Sequence, residues 1–288
     1  MTSHDVVITA RRMLRQSRIG HTGTLDPFAT GVLPLALGRA TRLVRFMATD
    51  TKTYEATVSF GVVTDTYDIT GTVTRRSDAR PQEAEVRAAL EAMLGTHAQT
   101  PPPFSAKRVD GKRAYDLARQ QKAVTLEPVA VNLDRADVLS IEPQQASIRL
   151  MCSAGYYVRA FAYDLGERLG CGACLASLRR TQSGPFSLAD AVTVEAMAHG
   201  RAEAHLKPLP ALLPHLDWVS LTPLGRDRLQ HGQVVRIIDT TDEGAGTGRT
   251  PAGEATEWVR LFDGTGNLAG VGRRGAPHGS LNPSIVLI

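Results

Sequence analysis

The sequence predicts a mixed α and β fold in two parts, a large first domain followed by a small β-rich module. Some stretches space their apolar residues as amphipathic helices do, and others alternate as strands do. After "LKPLPALLPHLDWVSL" only short strands and turns follow. The length of 288 residues suits one large domain plus a small one. We therefore expect domains at residues 1–213 and 214–288.

The predicted elements follow in chain order. "HDVVITARRMLRQ" is a helix, "LPLALGRATRLVRFM" a helix or helix-turn, and "TVEAMAHGRAEAHL" a further helix. "PQEAEVRAALEAMLG" is a helix with Pro81 in its first turn and Gly95 at its end, and "YVRAFAYDLGERLG" is a helix ending at Gly170. "DTYDITGTV" is a loop that leads into a short strand. The other predicted strands are "TYEATVSFGV", "RADVLSIE", "SIRLMCSA", "GQVVRIID", "EWVRLFDGTGNLAGVGRR" and "PSIVLI".

The composition narrows the class of protein. No run of about 18 apolar residues suggests a membrane span, and the N-terminal stretch lacks the apolar core of a signal peptide. Cys152, Cys171 and Cys174 are too few for a disulfide scaffold, so we expect a cytoplasmic protein. The spacing of Cys171 and Cys174 is that of a redox or half-zinc motif. Because no second cysteine pair completes it, we interpret both as small residues at a helix end.

The basic residues are clustered, although the formal net charge is only +4. Such clusters suit a polyanionic partner such as nucleic acid, and solvated helix faces are the alternative interpretation. The clusters are Arg11, Arg12, Arg15 and Arg18; Arg39, Arg42 and Arg45; Lys107, Arg108, Lys112 and Arg113; and Arg179 and Arg180.

The stretch "RIGHTGTLDPFATGVLPLALGRATR" surrounds one carboxylate, Asp26, with glycines, threonines and prolines. Pro27 pushes Asp26 away from helical angles, and Gly23 and Gly31 permit close backbone approach. Asp26 is therefore predicted on a stiff loop, a placement that suits a carboxylate presented to a ligand. An ordinary Asp-Pro turn is the alternative. A lone carboxylate of this kind can act as a nucleophile or as a general acid or base.

Four segments resemble, in the same order, the TruB-type tRNA pseudouridine synthases, which act on uridine 55 in the T-arm. They extend over most of residues 3–186, and the tail after them resembles a PUA module, a small RNA-binding β barrel. The resemblance implies an α+β pseudouridine synthase fold with a mixed, largely antiparallel sheet and a C-terminal PUA-like module. The segments are "GHTGTLDPFATGVLPLALGRATR", "KTYEATVSFGVVTDTYDITG", "PPPFSAKRVDGKRAYDLAR" and "GYYVRAFAYDLGERLGCGACLASLRRTQSGPF".

The resemblance also implies a reaction that needs no cofactor and no metal. Asp26 would be the catalytic aspartate, as nucleophile or as base, while the uracil leaves C1′, rotates and rejoins the sugar through C5. Arg159 would pair with Asp26 and hold it ionised, because a nearby cation favours the charged form of a carboxylate. Tyr54 would stack on the flipped uracil and relay a proton. Tyr157 and Leu178 would line the uracil pocket.

Contacts to RNA follow from the same resemblance. His21 would stack in the space left by the flipped base, since a planar side chain substitutes for lost stacking. The loop Pro101–Gln121 would close over the RNA, and its cations would bind phosphates without reading the sequence. These cations are Lys107, Arg108, Lys112 and Arg113.

Two alternatives remain at this stage. Relatives usually begin with a strand that ends in a Lys-Pro turn, and no such segment precedes "TSHDVV". Either the start codon was placed too late or the chain is shortened, and a shortened chain would leave one sheet edge open. A catalytically impaired RNA-binding or tRNA-folding protein is therefore one alternative. The other is a guide-RNA-dependent relative within a ribonucleoprotein, against which the Pro101–Gln121 loop argues. We expect a stand-alone monomer that binds tRNA, with no guide RNA and no membrane partner.

Overall fold

A computed structural model describes residues 1–48, 51–105, 108–109, 112–113, 126–198, 202–244, 256–275 and 279–288, and for residues 108–109 and 112–113 the backbone alone. The α-helices are α1 Ser3–Met13, α2 Val44–Met47, α3 Glu83–Glu91, α4 Val158–Arg168, α5 Val194–Ala198 and α6 Pro223–Gln230. Short 3₁₀ helices cover Gly38–Leu43, Leu188–Asp190, Glu203–His205, Leu209–Ala211 and Ile237–Asp239. Within the described ranges, no helix has both the length and the apolar character needed to cross a bilayer.

The strands divide between two compact units, residues 1–8, 21–34 and 48–191 in the first and residues 9–20, 35–47 and 192–288 in the second. The domain boundary expected after residue 213 stays a prediction. The strands are β1 Ile19–His21, β2 Thr30–Gly31, β3 Leu35–Leu37, β4 Lys52–Phe60, β5 Val62–Thr64, β6 Val73–Arg76, β7 Gly95–Gln99, β8 Arg108–Val109, β9 Lys112–Arg113, β10 Val129–Glu142, β11 Gln145–Cys152, β12 Ala173–Ser183, β13 Phe186–Ser187, β14 Asp217–Leu221, β15 Val235–Arg236, β16 Thr240–Gly244, β17 Trp258–Phe262, β18 Leu268–Gly275 and β19 Ser280–Val286.

The first unit is built on a seven-stranded sheet in the order β13-β12-β4-β11-β10-β7, with β2 also paired to β12. All of these pairs are antiparallel except β2 with β12, which is parallel. The predicted mixed, largely antiparallel sheet is therefore confirmed. Residues of β4 alternate between buried and half-buried, so Tyr54, Ala56 and Val58 share the buried face.

Helices α3 and α4 bury their apolar faces in the core of this unit. Phe161 and Leu165 of α4 join Leu175 of β12 and Leu150 of β11 in one hydrophobic cluster. Burying a side chain of this size stabilises a fold by about 1.5–3 kcal/mol. Gly166 brings α4 very close to β12, because a Cβ atom there would lie 2.1 Å from the backbone nitrogen of Ala173. The C-terminal part of α4 is thereby held firmly against the sheet.

The second unit contains a six-stranded sheet in the order β15-β19-β18-β17-β14-β16, in which β14 and β17 pair in parallel. It confirms the predicted β-rich C-terminal part. Three arginines of one predicted basic cluster make internal contacts in this unit. Arg39 and Arg42 donate to the carbonyls of Leu287 and Val286, and Arg45 lies 5.4 Å from the ring centroid of Trp258. This cluster is therefore partly used to hold the unit together.

Some predicted elements differ from the structure, and one strand was not predicted. "LPLALGRATRLVRFM" forms β3, a 3₁₀ helix and the four-residue α2, because Gly38 adopts a left-handed φ of 55° directly after β3. In "TVEAMAHGRAEAHL" the described residues form only α5 and a short 3₁₀ helix. Strand β12 was not predicted, because a bulge between Leu175 and Ser177 breaks its alternation.

Candidate active site

The structure places Asp26 on the loop between β1 and β2, as predicted. The amide of Ala29 donates to the Asp26 carbonyl at 2.9 Å, which closes a tight turn around Pro27. Leu25 and Phe28 pack against the core of the first unit. Apolar anchors on both sides of Asp26 thus hold the turn in place while its carboxylate remains 30% exposed.

Arg159, the second residue of α4, binds the Asp26 carboxylate through two hydrogen bonds. Its Nε donates to Oδ2 at 3.0 Å and its Nη2 donates to Oδ1 at 2.9 Å. The guanidinium also donates to the carbonyls of Thr66 at 3.1 Å and Phe104 at 2.9 Å. The Arg159 side chain is only 7% exposed. Such a two-point, charge-assisted pair fixes both the orientation and the plane of the carboxylate.

A second carboxylate, Asp68, reaches the same guanidinium and was not predicted from the sequence. Its Oδ2 lies 3.6 Å from Arg159 Nη1, and its side chain is 6% exposed. Its Oδ1 accepts hydrogen bonds from the Thr66 hydroxyl and the Thr70 amide, both at 2.9 Å. One buried cation therefore serves two carboxylates, of which only Asp26 reaches solvent. The signal was available, because Asp68 and its two threonines lie inside the quoted segment "KTYEATVSFGVVTDTYDITG".

The Arg180 side chain holds the same loop by binding backbone carbonyls. This burial corrects the prediction that Arg180 belongs to a basic cluster for binding nucleic acid. The residue is 1% exposed. Its guanidinium donates to the carbonyls of Val32 at 2.7 Å, Gly23 at 3.1 Å and Thr24 at 3.4 Å. The β12 bulge turns Arg180 to the buried face and leaves its neighbour Arg179 exposed. Arg180 thereby ties together the two ends of the Asp26 loop.

Tyr54 and Leu178 lie on the buried face of neighbouring strands, β4 and β12. Tyr54 pairs in register with Arg180, and Leu178 with Ala56. Burial raises the pKa of Tyr54, while the Arg180 guanidinium acts in the opposite direction and the Asp26 carboxylate adds to the rise. Tyr54 is therefore a neutral phenol within electrostatic reach of Asp26. The structure brings Tyr54, Leu178 and the Asp26 loop into one part of the first unit.

His21 ends β1 and begins the Asp26 loop. It is half-buried, and its Nδ1 is buried with no hydrogen-bond partner among the described residues. Burial lowers the pKa of His21, and the positive charges of Arg180 and His4 lower it further. The ring is therefore a neutral imidazole at pH 7, which suits stacking on a base better than binding a phosphate.

Tyr157 directly precedes α4 and is held through its backbone. Its amide donates to Oε1 of Gln99 at 2.9 Å, and Nε2 of Gln99 donates to its carbonyl at 3.1 Å. Gln99 is 1% exposed, so this buried amide fixes the entry into α4 two residues before Arg159. Burial raises the pKa of Tyr157, against the effects of Ser105 and Arg159.

The predicted phosphate-binding residues fall largely outside what the structure describes. Lys107 lies outside the described residues, and for Arg108, Lys112 and Arg113 only the backbone of the paired strands β8 and β9 is described. Their contacts to RNA stay predictions. Cys171 and Cys174 are buried free thiols. In the described part of the chain, no group of three or more His, Cys, Asp or Glu side chains could hold a metal ion.

Comparisons with known proteins show the family of this chain. The model of the TruB family pseudouridylate synthase N-terminal domain matches residues 11–158, and that of the tRNA pseudouridylate synthase B C-terminal domain matches residues 159–216. The tRNA pseudouridine synthase B of Geobacter sulfurreducens is 43% identical over 90% of this chain and 86% of its own. Its counterpart from Solibacter usitatus is 39% identical over 99% of this chain and 96% of its own.

Solved structures show the same fold at lower identity. In the crystal structure of a Cbf5-Nop10-Gar1 complex, one chain is similar with a TM-score of 0.74 and 22% identity, over 100% of this chain and 82% of that one. The archaeal box H/ACA sRNP Nop10-Cbf5 complex gives a TM-score of 0.72 at 21% identity, over 100% and 83%. The predicted fold class is thus confirmed. On the family models and the relatives together, the chain belongs to the TruB family of pseudouridylate synthases.

Proposed function

We propose that this protein isomerises uridine 55 in the T-arm of tRNA to pseudouridine, with Asp26 as the catalytic residue. The observation that carries the proposal is the carboxylate of Asp26, the exposed member of a buried Asp26–Arg159–Asp68 group. The relatives at 39–43% identity are named for tRNA pseudouridylation, which supports tRNA as the substrate. A cytoplasmic location and a monomeric state of the protein stay predictions.

The proposed reaction begins when the target nucleotide leaves the folded T-arm. Flipping a base out costs a few kcal/mol of stacking and pairing. The neutral ring of His21 can replace part of that stacking at the point where the Asp26 loop begins. The flipped uracil then lies against Tyr54, with Leu178 and Tyr157 beside it.

The proposed chemistry is an isomerisation in which no atom is added. Asp26 acts on the sugar, either by attack on C1′ or by removal of a proton, and the C1′–N1 bond breaks. The detached uracil rotates and C5 bonds to C1′, while the bond from Asp26 to C1′ breaks or, in the base mechanism, the sugar regains its proton from Asp26. The hydrogen on C5 then leaves as a proton while N1 gains one. Arg159 keeps the Asp26 carboxylate aimed throughout, and buried side chains such as Leu178 limit access of water.

The decisive experiment uses a T-arm stem-loop RNA with tritium at C5 of uridine 55 and measures tritium release without guide RNA or other protein. We expect release by the parent protein and none above background by Asp26→Asn. A matched RNA labelled only at other uridines should release nothing. Release by both proteins would show that Asp26 is the wrong residue. No release by either, with tight RNA binding at low salt, would favour the catalytically impaired RNA-binding alternative.

A further inference from the structure

Three residues of α4, spaced four apart, face the segment that runs from β5 to β6. They are Arg159, Tyr163 and Glu167, which this spacing places on one face of the helix. Arg159 contacts the start of the β5–β6 segment, as described above, and Glu167 pairs with Arg75 of β6. Between these two contacts, the Tyr163 ring stacks on Tyr67, with centroids 4.1 Å apart and planes inclined by 16°.

Tyr67 adopts an unusual backbone conformation at the centre of this segment. Its φ of 64° lies in the left-handed region, which a bulky residue rarely adopts. Its carbonyl accepts a hydrogen bond from the Leu175 amide at 2.9 Å. The residues on either side, Thr66 and Asp68, both meet the Arg159 guanidinium. The left-handed turn at Tyr67 is therefore what allows both neighbours to face Arg159.

We infer that the stack of Tyr67 on Tyr163 positions Arg159, and through it Asp26, for the reaction. Both rings are only half-buried, so the stack adds little to the core. It does hold an otherwise disfavoured backbone turn against α4, one helical turn from Arg159. If the stack is lost, the Thr66 carbonyl and the Asp68 carboxylate can move away and leave the guanidinium free to tilt. This inference rests on the proposed synthase activity.

The first test compares steady-state tritium release by three variants. Tyr163→Leu removes the stack, Tyr163→Phe keeps the ring, and Tyr67→Gly removes the stack while suiting the left-handed turn. We expect Tyr163→Leu and Tyr67→Gly to lower kcat about tenfold with KM nearly unchanged, as for a slightly misplaced catalytic group. Tyr163→Phe should restore turnover. The matched control, Arg75→Met, breaks the contact farthest from Arg159 and should change kcat less than twofold.

The second test observes Arg159 directly, without turnover. In ¹⁵N-arginine-labelled protein, the buried Nε–H that donates to Asp26 should give a distinct signal, assigned by its loss in Arg159→Lys. We expect this signal to shift or broaden in Tyr163→Leu and Tyr67→Gly, and to stay in Tyr163→Phe. An unchanged signal and an unchanged kcat in both stack-free variants would overturn the inference. If the parent releases no tritium, the proposed function fails while the Nε signal still decides the inference.

Discussion

Two buried arginines hold the Asp26 loop in different ways. Arg159 binds side-chain charge, the carboxylates of Asp26 and Asp68, and so fixes the group proposed to react. Arg180 binds backbone, the carbonyls of Gly23 and Thr24 in the loop and of Val32 just after β2, and so fixes the shape of the loop. One cation therefore determines where a carboxylate points, and the other determines the path of the backbone. Substitution of Arg159 should impair catalysis most, and substitution of Arg180 should destabilise the fold as well.

The largest effect is expected from Arg159→Lys. Lysine keeps the positive charge but cannot make the two-point contact to Asp26 and the carbonyl contacts at once. We expect kcat for tritium release to fall by about 100-fold, because the carboxylate loses its orientation. The control is Arg87→Lys, an exposed arginine of α3 that pairs with Glu83 on the helix surface. Equal activity in the two variants would contradict the role of Arg159.

A mixed effect is expected from Arg180→Met. Three backbone carbonyls, of which that of Val32 is buried, lose their donor, so the free energy of unfolding in urea should fall by about 1–3 kcal/mol. The loosened loop should also lower kcat by about tenfold. The matched control is Arg149→Met, which removes an exposed sheet arginine paired with Glu55 and should cost at most about 1 kcal/mol. A parent-like kcat in Arg180→Met would show that the loop keeps its shape without this cation.

The smallest effect concerns the pKa of His21, which burial and then the charge of Arg180 hold below its ordinary value. Arg180→Met should therefore raise the His21 pKa, whereas Arg159→Lys should leave it in place. NMR titration of the ring protons measures both. Because the native pKa is lowered, His21 contributes stability above pH 6.5 that is lost as the pH falls through its native pKa. If His21 titrates identically in the parent and in Arg180→Met, the charge of Arg180 does not influence the His21 pKa.

Part of the candidate site could be predicted because its signals are local or carried by family resemblance. The Asp-Pro turn and its glycines predicted a loop at Asp26, and the quoted motifs predicted Tyr54, Tyr157, Leu178 and the partner Arg159. The structure brings these residues together, although their roles in catalysis stay proposals. Asp68 was missed because its contact with Arg159 joins two segments far apart in the chain. The local signal, an aspartate between Thr66 and Thr70, does not identify the distant partner.

By itself, the sequence determined the elements whose signals lie within a few residues. The alternation of β4 and the spacing of α4 are of this kind, as is the chemistry of a carboxylate on a stiff loop. Tertiary structure alone decided which charges became buried. Arg179 and Arg180 are identical neighbours in sequence, and the bulge in β12 sends only Arg180 inward, where loop carbonyls satisfy it. The physical reason is that a buried cation is tolerated only where distant segments supply acceptors, and only the folded chain brings them there.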